Sequence, residues 1–433
     1  EGSGQLNGRP VTIALDGDPL ALVSRGQPYG FTFMERSAGA HLGGHGRLPQ
    51  PFDFHLLDTE FEAAGEDLKD LYFLAGINMP DTGPFHLAGK VTRRGSHFSY
   101  SDLVLTSGQS DLRGELSIET SHGHARIEGQ LNSQLLRAAD LGAHAAGRDP
   151  VPESAKTLLL PDTALPLNGV RRGDAVIDYQ AQRFELGRAT LHALAARVTI
   201  DHEVLTIAPL SAQFPEGRIS GRATFDATQK QPMASIAIRI TDLRLGQFAR
   251  KDKGPPPLDG LLQARVFLKG RGDSIHQLAS DASGRITAAL PQGAIRASFA
   301  ELTGMDLARA LGMVLSKDRH EAAVRCGIAN FEAHDGTLTV QDLLLDSDPV
   351  LITGSGQIHL DTETLDLALH GRPKGLRLLR WHSPVVIRGT LKHPTVGIDA
   401  HKAALTLIDR GTAQQVDCAA LLTPAKADGL DTQ

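Results

Sequence analysis

Apolar and polar residues alternate one by one in short runs along most of this chain, and no other feature limits its fold as strongly. Phe98 and Tyr100 alternate with polar neighbours, followed by Leu116, Ile118 and Thr120, then by Ala125, Ile127, Gly129 and Leu131. The pattern returns at Ile219, Gly221, Ala223 and Phe225, and at Ile236, Ile238 and Ile240. In the C-terminal third it runs through Leu338/Val340, Leu343/Leu345, Ile358/Leu360, Leu365/Leu367/Leu369 and Val385/Ile387/Gly389/Leu391. Gly, Asp, Asn, Ser or Pro bounds each run. A period of two with turn residues at both ends is the pattern of β-strands, and one apolar face per strand is the pattern of an antiparallel sheet.

Helical spacing is scarce. It predicts helices over Glu66–Ile77, Ser133–Leu141, Phe299–Lys317 and His401–Ile408. In the third of these, Leu302, Met305, Leu307, Ala310–Leu311 and Val314–Leu315 recur on one face, as in a helix capping a sheet end. Three stretches share a strand–turn–strand plan ending in Gly-x-apolar-x-apolar-acid: Gly114 to Glu119, Gly221 to Asp226 and Gly356 to Asp361. Their unequal spacing describes a recurring meander. Two loop-like breaks, Gly142–Ala155 and Arg250–Pro257, divide the sheet into three parts: 1–141, 156–250 and 258–433.

With 41% hydrophobic and 22% charged residues the chain can bury a substantial core. A net charge of −6 without a basic block argues against nucleic acid as a partner. No run of 18 apolar residues is present, so no helix is expected to span a bilayer. The chain starts Glu1-Gly2-Ser3-Gly4 without Met, which reads as a processed chain or a fragment, and strand pattern beginning by Val11 favours the fragment. Its two cysteines, Cys326 and Cys418, form either one disulfide or two separate buried thiols.

Stretches that approach catalytic motifs each fall short of them. Gly83–Lys90 has the wrong spacing for a phosphate-binding loop, and Val91 stands where Ser or Thr is needed. His202-Glu203 lacks the second histidine of a metalloprotease, and no Gly-x-Ser-x-Gly elbow occurs. His41/His45 and His122/His124 have no nearby metal-ligating companions and read as surface residues. No cofactor or metal is expected. The stretch Arg372, Lys374, Arg377, Arg380 and Trp381, continuing to Arg388 and Lys392, places cations around the only Trp. It reads either as a contact for anionic lipid headgroups or as a solvated strand face.

Roughly twenty strands with one apolar face each present more surface than four short helices cover. The sheet must close, pair with a second sheet, or leave a groove for an apolar ligand. The apolar positions are mostly aliphatic and small, while Tyr (4) and Trp (1) are few. That lining suits acyl chains better than sugars. The candidate lining residues are Leu116, Ile118, Ile236, Ile238, Ile240, Ile358, Leu360, Leu365, Leu367 and Leu369.

From Arg325 to Cys418 the sequence resembles the AsmA family of envelope proteins. The residues that carry this are Arg325-Cys326-Gly327-Ile328-Ala329-Asn330-Phe331 with His334-Asp335-Gly336, and Gly354 through Leu367 (GSGQIHLDTETLDL). Pro373-Lys374, then Ser383-Pro384-Val385-Val386-Ile387-Arg388-Gly389-Thr390 and Pro394, then Asp417-Cys418-Ala419 follow in order. The resemblance implies a long, curved, partly open antiparallel β-sheet with a hydrophobic groove and a few capping helices. It implies no catalysis, a periplasmic location in a Gram-negative bacterium, and an N-terminal inner-membrane anchor outside this chain. It implies phospholipid or another envelope lipid as partner, guided between the inner and outer membranes, with inner- and outer-membrane proteins as further partners. It also implies a Cys326–Cys418 disulfide. The competing reading is a scaffold for outer-membrane assembly that acts through protein contacts without carrying lipid.

Overall fold

A computed structural model describes the chain outside residues 72–80, 142–158, 249–255, 297–320, 376–379, 399–403, 407–412 and 428–433 and scattered loop positions. One mostly antiparallel sheet of 23 strands dominates it. The chain divides into two compact units.

Unit 1 comprises Glu1–Val151, Pro166–Ala212 and Asp226–Thr228. It carries β1 (Gly2–Leu6), β2 (Arg9–Gly17), β3 (Tyr29–Ser37), β4 (Ala40–Leu48), β5 (Leu56–Gly65) and β6 (Phe85–Arg94). It continues through β7 (His97–Ser107), β8 (Ser110–Ser121), β9 (His124–Arg137), β10 (Gly173–Leu186), β11 (Ala189–Asp201) and β12 (Val204–Gln213). From β1 to β9 each strand pairs antiparallel with the next. β10 then pairs parallel with β9, Gly173 opposite Ala125 and Glu185 opposite Arg137. A parallel pair needs a long crossover rather than a hairpin, and the loop-like stretch Gly142–Ala155 falls in that crossover, outside the described residues.

Unit 2 comprises Pro152–Leu165, Gln213–Phe225 and Gln229–Gln433. Its strands are β13 (Arg218–Asp226), β14 (Met233–Arg244), β15 (Leu258–Arg271), β16 (Ser283–Leu290), β17 (Gly293–Arg296), β18 (Glu321–His334) and β19 (Thr337–Ser347). They continue with β20 (Val350–His359), β21 (Thr364–Pro373), β22 (Arg380–His382), β23 (Val385–Thr390), β24 (Pro394–Ile398) and β25 (Ala404–Thr406). Two short α-helices are described, α1 (Ile275–Ser280) and α2 (Cys418–Ala427).

A three-fold sequence motif explains how long strands keep their apolar side chains on one face. Tyr100-Ser101-Asp102-Leu103, Ile240-Thr241-Asp242-Leu243 and Val340-Gln341-Asp342-Leu343 each contain one extra residue relative to a partner strand. Asp102 and Asp242 take φ of 52° and 53°, a left-handed conformation that Asp tolerates better than most residues. The extra residue forms a β-bulge. The apolar residue before it and the Leu after the Asp therefore point the same way, although they are three apart.

The expected helices fare differently. Ser133–Leu141 is not a helix: Ser133–Arg137 is the end of β9, followed by a 3₁₀ turn at Ala138–Asp140. Backbone pairing to β10, and Asp111 accepting the Gln134 and Leu135 N–H groups at 3.0 and 2.8 Å, hold it extended. Within Glu66–Ile77 the described part is a 3₁₀ turn at Leu68–Leu71. Within His401–Ile408, Ala404–Thr406 is strand, paired to β22. Phe299–Lys317 lies outside the described residues. The described helices α1 and α2 were not expected. Each carries its own cap: Ser274 Oγ accepts the Gln277 N–H at 3.1 Å, and Asp417 accepts the N–H groups of Ala419 and Ala420.

Candidate functional site

Residues directly opposite in a sheet share a face, so the register identifies what lies together. In unit 1 one face reads Phe31 and Phe33 on β3, Gly46 and Gly44 on β4, Thr59 and Phe61 on β5, and Val91 and Gly89 on β6. It continues through Tyr100 and Phe98 on β7, Leu116 and Ile118 on β8, Gly129 and Ile127 on β9, and Ile177 and Ala175 on β10. Leu116 and Ile118 thus stand in an apolar row that crosses the strands.

Glycines let this row pack without large gaps. A Cβ at Gly44 would sit 2.9 Å from the Phe33 ring, and one at Gly129 would sit 2.2 Å from Leu116 Cδ2. Large side chains lie over these positions and leave a smooth aliphatic and aromatic surface. Most of its residues are half-buried rather than sealed. Burial pushes the Tyr100 hydroxyl above its ordinary range, and does the same at Tyr179, where a hydrogen bond with Ser133 at 3.0 Å opposes it.

The two ends of this row differ. At one end Val11, Ala40, Ala63, Leu68, Leu71 and Phe85 form a buried cluster. Asp67, fully buried, accepts the Thr82 N–H at 3.0 Å and the Lys69 N–H at 3.1 Å there. At the other end Leu48 is buried, the last residue of β4 before the loop that joins it to β5.

The opposite face of the same strands is charged. Lys90 pairs with Asp102 at 3.0 Å, His45 with Glu60 at 3.7 Å, His86 with Glu62 at 2.7 Å and Arg94 with Asp58 at 2.7 Å. A depression of about 600 Å³ lies here, lined by Met34, His41, His45, Glu60, Lys90 and Asp102 among others. The hydrogen bond with Asp102 raises the Lys90 ammonium above its usual range. Among the described residues no group of three or more His, Cys, Asp or Glu side chains is placed to hold a metal.

Unit 2 repeats the two-faced arrangement. One face carries Ile236, Ile238 and Ile240 opposite Leu268, Val266 and Ala264. Val266 leads on to Ile286, Phe331 and Val340. Ile358 stands opposite Leu365, Leu367 opposite Ile387 and Leu369 opposite Val385. All these candidate lining residues share one face of the unit; Leu360 lies just past β20 in a buried end cluster with Ala282, Ala333 and Leu338. At the other end Leu290, Ile295, Val324, Val350, Ile352, Leu369 and Val385 are buried together.

Cys326 and Cys418 are bonded, with Cα atoms 5.8 Å apart, joining β18 to the first residue of α2. Leu422 of α2 packs on Ala289 and Cys326. Beside the bond, the fully buried Asp346 accepts from Arg325 Nη1 at 2.9 Å and from the Val416 N–H at 3.2 Å, and forms an ion pair with Lys374. Of the basic stretch, Lys374 is therefore engaged by Asp346, Arg372 is exposed in β21, Arg380 and Trp381 form the backbone of β22, and Arg377 lies outside the described residues.

A buried acid was missed in the sequence. Glu363, fully buried at φ 53°, accepts the backbone N–H groups of Leu159 and Leu160 and so fastens the crossover segment to unit 2. Thr362-Glu363 lies in the turn between β20 and β21, and nothing local distinguishes it from a solvated turn.

Residues 67–343 match the model of the AsmA family. The chain belongs to the AsmA family. AsmA proteins are associated with the cell envelope. The chain is 26% identical over 447 aligned positions to the AsmA family protein YhjG of Escherichia coli (strain K12), across 98% of this chain. It spans 64% of that relative's length. No solved structure matches. The AsmA match covers β6–β12 of unit 1 and β13–β18 of unit 2; β1–β5, with the Phe31, Phe33 and Phe61 end of the unit 1 row, and Asp346 and Cys418 lie outside it. No described helix is long and apolar enough to cross a membrane.

Proposed function

We propose that the apolar faces of this AsmA protein bind the acyl chains of phospholipid and guide lipid through the periplasm between the inner and outer membranes. The observation that carries the reading is the row from Phe31 to Ile177 in unit 1: aliphatic and aromatic, half-buried, and backed by a face of ion pairs. Acyl chains need only a dry, non-directional surface, and such a row supplies one. A charged reverse face keeps the same strands wetted on the other side. In unit 2 the row through Ile238, Val266, Ile286, Phe331 and Val340 offers the same surface between two buried ends. Arg372, Arg377, Arg380 and Trp381 are proposed to meet headgroups.

The test is mass spectrometry of lipid extracted from the purified chain under mild detergent. Stoichiometric phospholipid is expected. A chain that folds and carries none would contradict the reading.

A further inference from the structure

Among the described residues of unit 1, the most exposed phenylalanines stand together. Phe52 and Phe54 are 56% and 63% exposed, and they stand two residues apart in the loop between β4 and β5. That loop is held rigidly. The Asp53 N–H donates to Gln50 O and the Leu56 N–H to Asp53 O, both at 3.1 Å. Asp53 Oδ1 accepts the His55 N–H at 3.0 Å, and the Gly95 N–H donates to His55 O at 2.8 Å, tying the tip to the next hairpin. Phe52 takes φ 63°, a region that bulky side chains rarely enter. Its ring lies 5.4 Å from that of Tyr29. The backbone at Phe52 is thus strained, with its ring held largely in water.

Cations flank the rings. Arg93 lies 4.9 Å over the Phe98 ring and donates to Gly95 O at 2.9 Å. Arg47, next to last in β4, stands opposite Asp58 on the charged face beside the loop. Among the described residues neither arginine is in an ion pair: Asp58, opposite Arg47, is taken by Arg94, and Glu119 pairs with His97. The loop also stands at the end of the apolar row where Phe31, Phe98 and Ile118 lie, opposite the buried Leu68–Phe85 cluster.

We propose that the Pro49–His55 loop docks unit 1 onto the interfacial layer of a phospholipid bilayer, with Phe52 and Phe54 among the acyl chains and Arg47 and Arg93 against lipid phosphate. Aromatic rings settle at the boundary between headgroups and acyl chains, and arginine stems extend along apolar surface while the guanidinium reaches phosphate. The inference rests on the lipid-carrying reading for its purpose. A lipid leaving the bilayer beside Phe52 meets the apolar row at Phe31 without crossing the charged face.

The test is flotation of the full chain with vesicles of phosphatidylethanolamine and phosphatidylglycerol, with extracted phospholipid measured in parallel. Replacing both rings (Phe52→Ser with Phe54→Ser) is expected to lower vesicle affinity by roughly tenfold or more. Phe267→Ser, at an exposed aromatic on the charged face of unit 2, is expected to leave it unchanged. Arg47→Glu with Arg93→Glu is expected to lower it several-fold, with most of that loss removed at high salt. A wild-type chain that does not float, or a ring-less variant that folds and floats as well as wild type, overturns the proposal. If the wild type floats through Phe52 and Phe54 but carries no extracted lipid, docking stands and the carrying reading fails. If it carries lipid but flotation ignores both rings, docking fails and carrying stands.

Discussion

Phe61 and Tyr100 meet edge to face, ring centroids 6.4 Å apart at 87°, although a whole strand separates them. Phe61 is on β5 and Tyr100 on β7, and the residue of β6 opposite Phe61 is Gly89. The missing side chain at Gly89 leaves the space in which the two rings join.

Filling that space should part them. A Cβ at Gly89 would sit 2.8 Å from Leu103 Cδ2 and 3.4 Å from Phe61 Cζ. Gly89→Val is expected to destabilise the chain by about 1–3 kcal/mol through overpacking. The check is the thermal unfolding midpoint together with the near-ultraviolet circular dichroism of the tyrosine. An unchanged midpoint and spectrum would show that the rings do not depend on this glycine.

Glu35 lies on the apolar face of unit 1, opposite Ile13 on one side and Leu42 on the other. Burial lifts its carboxyl above the ordinary value of 4.5. The folded chain therefore keeps this proton over a pH window in which the unfolded chain has released it. Its contribution to stability is fully present below the unfolded value and is lost as pH rises through the lifted folded value. Glu35→Gln should be the more stable form at neutral pH and should flatten that part of the stability–pH curve. Urea unfolding at pH 4 to 8 measures it, and a variant less stable than wild type at neutral pH would contradict the argument.

Much of this was legible in the alternation of the strands, because a period of two records burial on one side directly. The bulges escaped that reading: the repeated Asp-Leu of Asp102-Leu103, Asp242-Leu243 and Asp342-Leu343 breaks the period of two, and only the register shows the extra residue. Ser133–Leu141 was misread because Leu135-Leu136 are adjacent apolar residues, which suit a strand end and a helix equally over so short a run. The parallel pairing of β9 with β10 depends on a crossover of several dozen residues, and no local pattern encodes it. The Phe52–Phe54 loop was invisible for another reason: alternating Phe reads as strand until the turn closed by Asp53 is seen. Asp346 and Glu363 look like surface acids because their partners, Arg325, Lys374, Leu159 and Leu160, are remote in sequence.

Asp346 should be the most sensitive single acid. It is fully buried and holds Arg325, Lys374 and the Val416 N–H together. Asp346→Ala leaves two cations facing each other beside an unpaired backbone donor, and a loss of about 3–5 kcal/mol is expected. Asp361→Ala, at an exposed turn acid, is the comparison and should cost under about 0.5 kcal/mol. Equal effects in denaturant unfolding would remove Asp346 from this role.

The Cys326–Cys418 bond closes a separation of 92 residues. In the chain-entropy model a loop of that length stabilises the fold by about 4–5 kcal/mol. Reduction, or Cys326→Ala with Cys418→Ala, should lower the denaturant midpoint and expose the α2 amides to hydrogen exchange before those of β18. Simultaneous exchange of both elements would mean that the bond does not fasten α2 independently of the sheet.

The face on which lipid lies is the central claim, and site-specific photo-crosslinking in cells reads it directly. A photoreactive residue at Leu116, Ile118, Ile238 or Leu367 should form adducts with phospholipid, while the same residue at Glu115, Ser117, Arg239 or Asp366, one position away on the reverse face, should not. Adducts at both sets alike, or at neither, would contradict the account.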